Sequence, residues 1–129
     1  MSSRDRVKVG IIGSGFEADI HAESFRIMPD EAEVVAVASP TPGHAGKFAT
    51  KFDIPRVFTD YREMLGEPDL EMVTITAPNA LHAQMTIDCA RAGKHVVCEK
   101  PLCMTLEEAD AMIDACRCAD QRGFGVQRA

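Results

Sequence analysis

The sequence lacks the long apolar runs that mark membrane-spanning helices. No stretch of its 129 residues approaches the roughly eighteen consecutive apolar residues that a span needs. The charged N-terminus, MSSRDRVKVG, has no apolar signal core. Basic residues are not in excess either, since the net charge is -6. These absences argue against a membrane protein, a secreted protein and a nucleic-acid-binding surface, and they predict a soluble cytoplasmic protein.

Cysteine is present, but without the spacing of a metal site or a disulfide framework. The chain has five, an odd number, in apolar segments at Cys89, Cys98, Cys103, Cys116 and Cys118. The Cys116-x-Cys118 pair is tighter than the usual zinc spacing, and no second pair accompanies it. We therefore expect reduced core thiols in a cytosolic protein, and no bound metal.

Strand-like and helix-like segments alternate along the chain, without an internal repeat or a linker. Strands are predicted at Val7 to Ile12, Glu33 to Ala38, Arg56 to Phe58, Glu71 to Thr76 and His95 to Cys98. The repeated order strand, helix, strand predicts parallel pairing with helical crossovers. The predicted fold class is therefore α/β, a doubly wound parallel sheet of the Rossmann type with helices on both faces.

Caps and periodicity predict where the later elements begin and which side chains they bury. Asn79 is expected to cap a helix from Ala80 to Ala92. The helix that follows Thr105 is expected to bury a stripe made of Leu106, Ala109, Ile113 and Cys116. A sixth strand could start at Phe124 to Gln127, but this segment lacks the apolar character of a core strand. The sheet is therefore expected to be incomplete at its C-terminal end.

A glycine-rich loop follows the first strand. The segment Gly13-Ser14-Gly15-Phe16-Glu17-Ala18 matches G-x-G-x-x-G/A directly after a strand and at the start of a helix. Gly13 permits a tight turn, Gly15 leaves room for a pyrophosphate, and Ala18 lets helix and strand pack closely. Backbone amides at the helix start, from Phe16 onwards, would donate to the phosphates. The motif predicts a dinucleotide site, and a glycine turn without a ligand is the alternative.

The residues after the second strand bear on the choice of dinucleotide. Folds that bind NAD usually carry an acid here for the ribose 2′-hydroxyl, whereas this chain has Ser39 and no carboxylate until Asp53. Ser39 and Thr41 would supply hydroxyls to the cofactor. Because no acid repels a 2′-phosphate, the sequence favours NADP. Because no arginine is present to clamp that phosphate, NAD stays open.

Three motifs in this order resemble those of one enzyme family. They are the glycine loop, the segment Ala77-Pro78-Asn79-Ala80-Leu81-His82, and Glu99-Lys100-Pro101 before a capped helix. Over residues 5 to 119 the chain is similar to the N-terminal domain of the Gfo/Idh/MocA family, named after glucose–fructose oxidoreductase, inositol dehydrogenase and rhizopine catabolism. The resemblance implies NAD(P)-dependent oxidation or reduction of a sugar, a cyclitol or a similar polyol.

The resemblance also implies roles for individual residues. The segment Ala77-Pro78-Asn79 would line the ribose on the nicotinamide side, with His82 beneath it. Lys100 would be the catalytic residue that touches the substrate hydroxyl, and Glu99 would hold Lys100 or contact the cofactor. An ammonium beside the reacting oxygen can stabilise developing negative charge or relay a proton. Without the other motifs, Glu99 and Lys100 would be read as a solvated salt bridge, and His82 as an ordinary helical residue.

The family implied by this resemblance carries a second, α+β domain that supplies most substrate contacts. We therefore expect residues 1–129 to be one NAD(P)-binding domain that is incomplete as an enzyme by itself. Its expected partners are a nicotinamide dinucleotide, a small polyol or sugar only when a second domain is supplied, and a second copy of the chain through exposed apolar surface. The alternatives are a non-catalytic dinucleotide-binding or interaction module and a structural fragment whose glycine loop stays empty.

Overall fold

The protein is built from alternating strands and helices. A computed structural model describes residues 6–41, 43–98, 105–119 and 126–128. Its strands are β1 (Val7–Ile12), β2 (Ala32–Ala38), β3 (Arg56–Phe58), β4 (Met72–Ile75), β5 (His95–Cys98) and β6 (Val126–Arg128). Its helices are α1 (Phe16–Arg26), α2 (His44–Phe52), α3 (Tyr61–Met64), α4 (His82–Arg91) and α5 (Leu106–Ala119), and a 3-10 turn at Asn79–Leu81 precedes α4.

The strands form one sheet in the order β3-β2-β1-β4-β5-β6, and every neighbouring pair is parallel. This confirms the predicted doubly wound α/β fold. The strand order reverses between β1 and β4, and ligands of such sheets bind beyond the carboxyl ends of the strands at that point. The expectation that the sheet is incomplete at its C-terminal end is wrong, because β6 pairs with β5. A short edge strand is held by backbone hydrogen bonds, which need no apolar sequence.

Helices cover both faces of the sheet. On one face α1 and α2 pack around a cluster that includes Ile11, Val37 and Phe48. On the other face α3 and α4 pack around a cluster that includes Met64 and Ile75, and α5 lies beside α4. Strands covered on both sides are apolar almost throughout, which is why the continuous apolar runs of the sequence predicted them correctly.

Helix α5 buries a different stripe from the one expected. Leu106 is 82% exposed and Ile113 is 43% exposed, whereas Met112 is completely buried. Cys116, four residues after Met112, is buried as predicted. A period of 3.6 residues places Met112 and Ile113 on adjacent faces, so the sequence pattern allows both stripes. Packing against α4 selects the one that contains Met112.

The ends of α4 also differ in part from the prediction. The helix begins at His82 with Leu81 in the N-cap position, so Asn79 is not its cap but opens the preceding 3-10 turn. In this turn the amide of Leu81 donates to the carbonyl of Pro78 at 2.9 Å, a tighter geometry than an α-helical start. At the other end Gly93 follows the helix with φ +80°, which confirms the predicted glycine stop.

Two expectations concern membranes and thiols. Within the described ranges, no helix combines the length and the apolarity that crossing a bilayer requires. The thiols of Cys89, Cys98 and Cys116 are buried and are not joined in disulfides, in agreement with the prediction of core thiols. Burial raises the pKa of Cys89, so this thiol stays protonated and unreactive at neutral pH. In the part of the chain that the structure describes, no cluster of His, Cys, Asp and Glu could hold a metal ion.

Candidate functional site

Four neighbouring strands end in one row at the carboxyl edge of the sheet. Ile12 of β1 is in register with Ala38 of β2 and with Ile75 of β4. Ile75 is in turn in register with Cys98 of β5. The segments that follow these strands therefore start side by side, at the point where the strand order reverses.

This row brings together most of the predicted site. The glycine loop follows β1, Ser39 follows β2, and the segment Ala77-Pro78-Asn79 follows β4 after one intervening residue. Glu99 and Lys100 come directly after β5 but lie outside the described residues. Their roles at the nicotinamide and the substrate therefore stay predictions.

Gly13 is required by the fold itself. Its φ is +110°, in the region that favours glycine, and its amide donates to the carbonyl of Ala38 at 2.8 Å. A Cβ atom at this position would lie 2.4 Å from Oγ1 of Thr76. Thr76 cannot easily give way, because its hydroxyl and its amide both donate to the carbonyl of Ile12 at 2.9 Å. The turn therefore closes only with glycine.

Gly15 is not required by the fold in this way. It is the N-cap of α1 with φ −92°, a conformation open to any residue. It is exposed, and a Cβ atom built on it would meet nothing within 4 Å. Glycine has no side chain, so the N-cap makes no side-chain hydrogen bond to the amides of the first turn, which begins at Phe16. The geometry fits a group that approaches the backbone closely, such as a diphosphate.

The third position of the motif packs as expected. Ala18 is completely buried in the cluster between α1, α2 and the sheet. A larger side chain would push α1 away from the strands, and the first-turn amides would move with it. The residue thus fixes the distance between the helix N-terminus and the glycine loop.

Ser39 lies in the row but is largely buried. It is 5% exposed, and the hydroxyl of Ser14 lies 3.2 Å from its own hydroxyl, where it donates a hydrogen bond. Its amide donates to the carbonyl of Phe58 at 3.1 Å. Ser39 therefore joins the glycine loop to the ends of β2 and β3. Thr41, the other hydroxyl predicted to contact the cofactor, is exposed on the surface beyond it.

His82 supports the loop after β4 from below. It is 1% exposed, and its Nε2 lies 2.7 Å from the carbonyl oxygen of Ala77. A carbonyl oxygen only accepts hydrogen bonds, so Nε2 carries the proton and donates it. The ring thus lies under the loop where the resemblance implies it, and its contact with a cofactor stays a prediction. Pro78 is exposed beside the row, whereas the side chain of Asn79 lies outside the described residues.

A cleft of about 410 Å³ opens beside the glycine loop. Its floor contains Ile12 and Ala38, which are buried at the ends of β1 and β2. Apolar parts of α4 and of the turn before it, Met85 and Leu81, form one side. Tyr61 of α3 lies on the other side. Such a slot between apolar and aromatic side chains suits a flat ring.

The rim of the cleft is polar. Asp60, Arg62 and Gln84 line it together with Thr59. Asp60 follows β3 and caps α3, since its Oδ1 accepts from the amide of Arg62 at 2.9 Å. The guanidinium of Arg62 lies near two carboxylates, 3.9 Å from Asp60 and 3.8 Å from Asp88. Arg62 is 64% exposed and both distances are long for ion pairs, so its positive charge is offset only in part.

The sequence did not single out these cleft residues. Asp60, Tyr61 and Arg62 fall in a segment, Asp60 to Leu65, whose sequence predicts only a short helix, and Gln84 was predicted only as part of the helix from Ala80 to Ala92. A usable signal was available, because Asp60 caps a helix directly after a strand end. In a parallel sheet that position also lies at the ligand edge.

A family model described as "Oxidoreductase family, NAD-binding Rossmann fold" matches residues 7–127. The chain belongs to the Gfo/Idh/MocA family. This confirms the resemblance stated from the three motifs. The matched region contains the glycine loop, the cleft and every described strand except the last residue of β6.

Named members of the Gfo/Idh/MocA family are similar over most of the chain. Levoglucosan dehydrogenase of Pseudarthrobacter phenanthrenivorans is 38% identical over 84% of this chain and 30% of its own length. Myo-inositol 2-dehydrogenase of Thermotoga maritima is 31% identical over 88% of this chain and 34% of its own length. A structure of levoglucosan dehydrogenase in complex with NADH superposes with a TM-score of 0.82, at 36% identity, over 87% of this chain and 32% of that one. The chain therefore spans about a third of the length of the Gfo/Idh/MocA relatives it matches.

Proposed function

We propose that this chain is the dinucleotide-binding part of an oxidoreductase that transfers hydride between NAD(H) and a sugar, a cyclitol or a similar polyol. The relatives named above support the reaction class, since they are dehydrogenases of such compounds. The family supports the cofactor class. How this chain would hold the cofactor is argued from its own residues.

The observation that carries the proposal is the contrast between the two glycines of the loop. Gly13 is explained by the turn, because a side chain there would collide with Thr76. Gly15 has no such explanation, since its φ is ordinary and a Cβ atom would enter open space. A glycine that the fold does not require fits a role in binding, because it lets a ligand approach the backbone. At a helix N-terminus this ligand is expected to be an anion, and a diphosphate fits both the amides and the space.

The cleft supports the position of the adenosine half. It begins at Ile12 and Ala38, the residues that precede the glycine loop and Ser39. A diphosphate on the first turn of α1 would therefore leave adenosine beside this opening. Tyr61 and Leu81 would then lie on either side of the adenine ring, where apolar contact and stacking stabilise it.

The charges around the cleft support NAD(H) more than NADP(H). The sequence favoured NADP because no acid follows β2. The structure, however, has an acid on the same cleft at the end of β3, Asp60. The guanidinium on the rim, that of Arg62, already faces Asp60 and Asp88. A 2′-phosphate would meet a carboxylate and a cation whose charge is already offset in part, which is unfavourable.

The chemistry of the proposed reaction requires a second set of groups. NAD held by the glycine loop and the cleft would supply a pyridinium ring able to accept a hydride from the carbon that bears the substrate hydroxyl. The proton of that hydroxyl must then pass to a base, and Lys100 is proposed for this role at the end of β5. Glu99 is proposed to hold Lys100. We assign substrate selection and most substrate contacts to a further domain. The relatives are about three times as long as the region they share with this chain, which leaves room for such a domain.

Titration with reduced dinucleotide tests the proposal. NADH is added to the folded chain and the fluorescence of its nicotinamide ring is followed, with NADPH in a parallel titration. We expect saturable binding of NADH, weaker binding of NADPH, and competition by ADP-ribose. A folded chain that binds neither nucleotide at millimolar concentration contradicts the proposal and supports a fragment whose loop stays empty. Binding without turnover of sugars and cyclitols, even in a form that includes further domains, would support the non-catalytic module.

The location and assembly of the chain belong to the same proposal. A cytoplasmic location is supported by the buried reduced thiols at Cys89, Cys98 and Cys116. Self-association is supported by exposed apolar side chains such as Leu106 and Ile27, which are 82% and 84% exposed. Sedimentation of the chain with and without NADH measures whether it is a monomer.

A further inference from the structure

Asp88 lies on α4, one turn beyond Gln84, and bonds to side chains that line the cleft. Its Oδ1 accepts from Nε2 of Gln84 at 2.9 Å, and its Oδ2 accepts from the hydroxyl of Tyr61. The Nε atom of Arg62 is 3.8 Å from the same Oδ2. Gln84, Tyr61 and Arg62 all line the cleft, and Asp88 stands behind them. One carboxylate thus joins the wall formed by α3 to the wall formed by α4.

The bond to Asp88 decides which way the amide of Gln84 faces. A carboxylate only accepts hydrogen bonds, so the nitrogen of the amide must be the atom on the Asp88 side. The oxygen of the amide is then directed away from Asp88. Because Gln84 lines the cleft, the oxygen of its amide is available to a ligand there as an acceptor. The hydroxyl of Tyr61, which donates to Asp88, fixes the carboxylate in the orientation that this requires.

We propose that Asp88, acting through Gln84, makes the cleft selective for a nucleobase with an exocyclic amino group over one with a carbonyl at the same place. The amino group of adenine donates to Oε1 of Gln84. The carbonyl of hypoxanthine would place oxygen against oxygen, so that the hydrogen bond is replaced by a repulsive contact. Asp88 is a positioning residue here, and Gln84 reads the base. The inference rests on the proposed function, in which adenosine occupies the cleft.

The test compares two dinucleotides that differ at one group. NADH and reduced nicotinamide hypoxanthine dinucleotide are titrated separately into the 129-residue chain, and the ratio of their dissociation constants is taken. We expect the chain to prefer NADH about tenfold, the effect of one hydrogen bond replaced by an unpaired acceptor. The ratio is informative because a general loss of structure would weaken both ligands alike.

Two variants assign the preference to its residues. In Asp88→Ala the amide of Gln84 can turn over, so we expect the preference to fall to about twofold or less. In Gln84→Met the length of the side chain is kept and the amide is removed. We expect the preference for NADH to fall by the same amount. Gln84 is exposed, so this second variant leaves the core intact even if Asp88→Ala folds poorly.

Asp69→Ala is the matched control. Asp69 is a carboxylate that bonds Arg56 through two hydrogen bonds of 2.8 and 3.0 Å, away from the cleft. This variant should keep the tenfold preference.

The outcomes separate the inference from the proposed function. A chain that binds neither dinucleotide contradicts the proposed function. A chain that binds both equally contradicts base selection alone and leaves dinucleotide binding in place. If Gln84→Met loses the preference but Asp88→Ala keeps it, Gln84 reads the base without Asp88, and the positioning role is wrong. Equal weakening of both ligands in Asp88→Ala, with an unchanged ratio, would show a structural role only.

Discussion

The amino and carboxyl edges of the sheet use their polar groups differently. At the amino edge a hollow of about 360 Å³ is lined by Arg6, Arg26 and Glu33, among others. Arg6 lies 3.1 Å from Glu33 and donates to the carbonyl of Pro29 at 3.3 Å, and Arg26 lies 3.1 Å from Glu23. These cations are thus already paired. At the carboxyl edge, by contrast, no N-cap side chain bonds the amides at the start of α1, and the space at Gly15 is open. Charge alone does not make an anion site, whereas helix-start amides with room in front of them can contribute to one.

Lys94, at the amino edge of the sheet, is also bonded within the protein. It precedes β5, and its amine donates to the carbonyls of Glu67 and Leu70 at 3.0 and 2.8 Å. Burial lowers the pKa of Lys94, yet both of these bonds hold a loop of the protein in place. Lys100, at the other end of the same strand, is proposed to act on a substrate. Four substitutions test whether the amino edge serves stability and the carboxyl edge serves binding.

The largest effect is expected at Gly13. In Gly13→Ala the new Cβ atom would collide with Thr76, and the backbone would keep a φ of +110° that alanine disfavours. We expect a loss of about 3 kcal/mol in the free energy of unfolding. Urea denaturation measures it. A stability equal to that of the parent chain would mean that the turn does not need glycine, and the two glycines would no longer differ.

Gly15→Ala should show the opposite behaviour. The methyl group enters open space, so the free energy of unfolding should stay within about 0.5 kcal/mol. The same methyl group would occupy the place of the diphosphate, and affinity for NADH should fall about a hundredfold, or roughly 2.7 kcal/mol, as strong charge-assisted bonds are lost. Calorimetric titration checks this. Undiminished affinity would remove the main support for binding at the loop.

Lys94→Met is the counterpart at the amino edge. It removes two hydrogen bonds from an ammonium to backbone carbonyls and keeps the apolar stem. We expect a loss of about 1.5 kcal/mol in the free energy of unfolding. Affinity for NADH should not change, because Lys94 lies at the far end of β5 from the site. A fall in affinity without a fall in stability would show that the two edges are coupled.

The smallest effect is expected at Asp69. Its hydrogen bonds with Arg56 hold the pKa of this carboxyl below its ordinary value of 3.8. A carboxyl whose pKa is lower in the folded than in the unfolded state stabilises the fold at pH values above its unfolded-state pKa. This contribution is lost as the pH falls through its folded-state pKa. The pair is exposed, so Asp69→Asn should cost less than about 1 kcal/mol at pH 7. The urea midpoints of the two proteins should converge as the pH falls below 3.8. A constant difference over that range would show that the charge of Asp69 is not involved.

The strands, the glycine loop and the family could be predicted from the sequence because each depends on local or strictly repeated features. The run Val7 to Ile12 is apolar throughout, since both of its faces are covered, and Gly13 marks a turn that only glycine closes. The stripe of α5 could not be predicted, because Met112 and Ile113 are both apolar and only contact with α4 distinguishes them. The sequence indicated only a possible start of the sixth strand at Phe124 to Gln127, because the pairing of this strand with β5 uses the backbone.

The order of the elements and the place of the glycine loop follow from the sequence, because backbone conformation and burial on two faces restrict residue type position by position. Only the tertiary structure decided which side chains surround the neighbouring cleft. Tyr61 and Gln84 are separated along the chain and belong to different helices, and no local pattern relates them. They share Asp88 because α3 and α4 pack on the same face of the sheet.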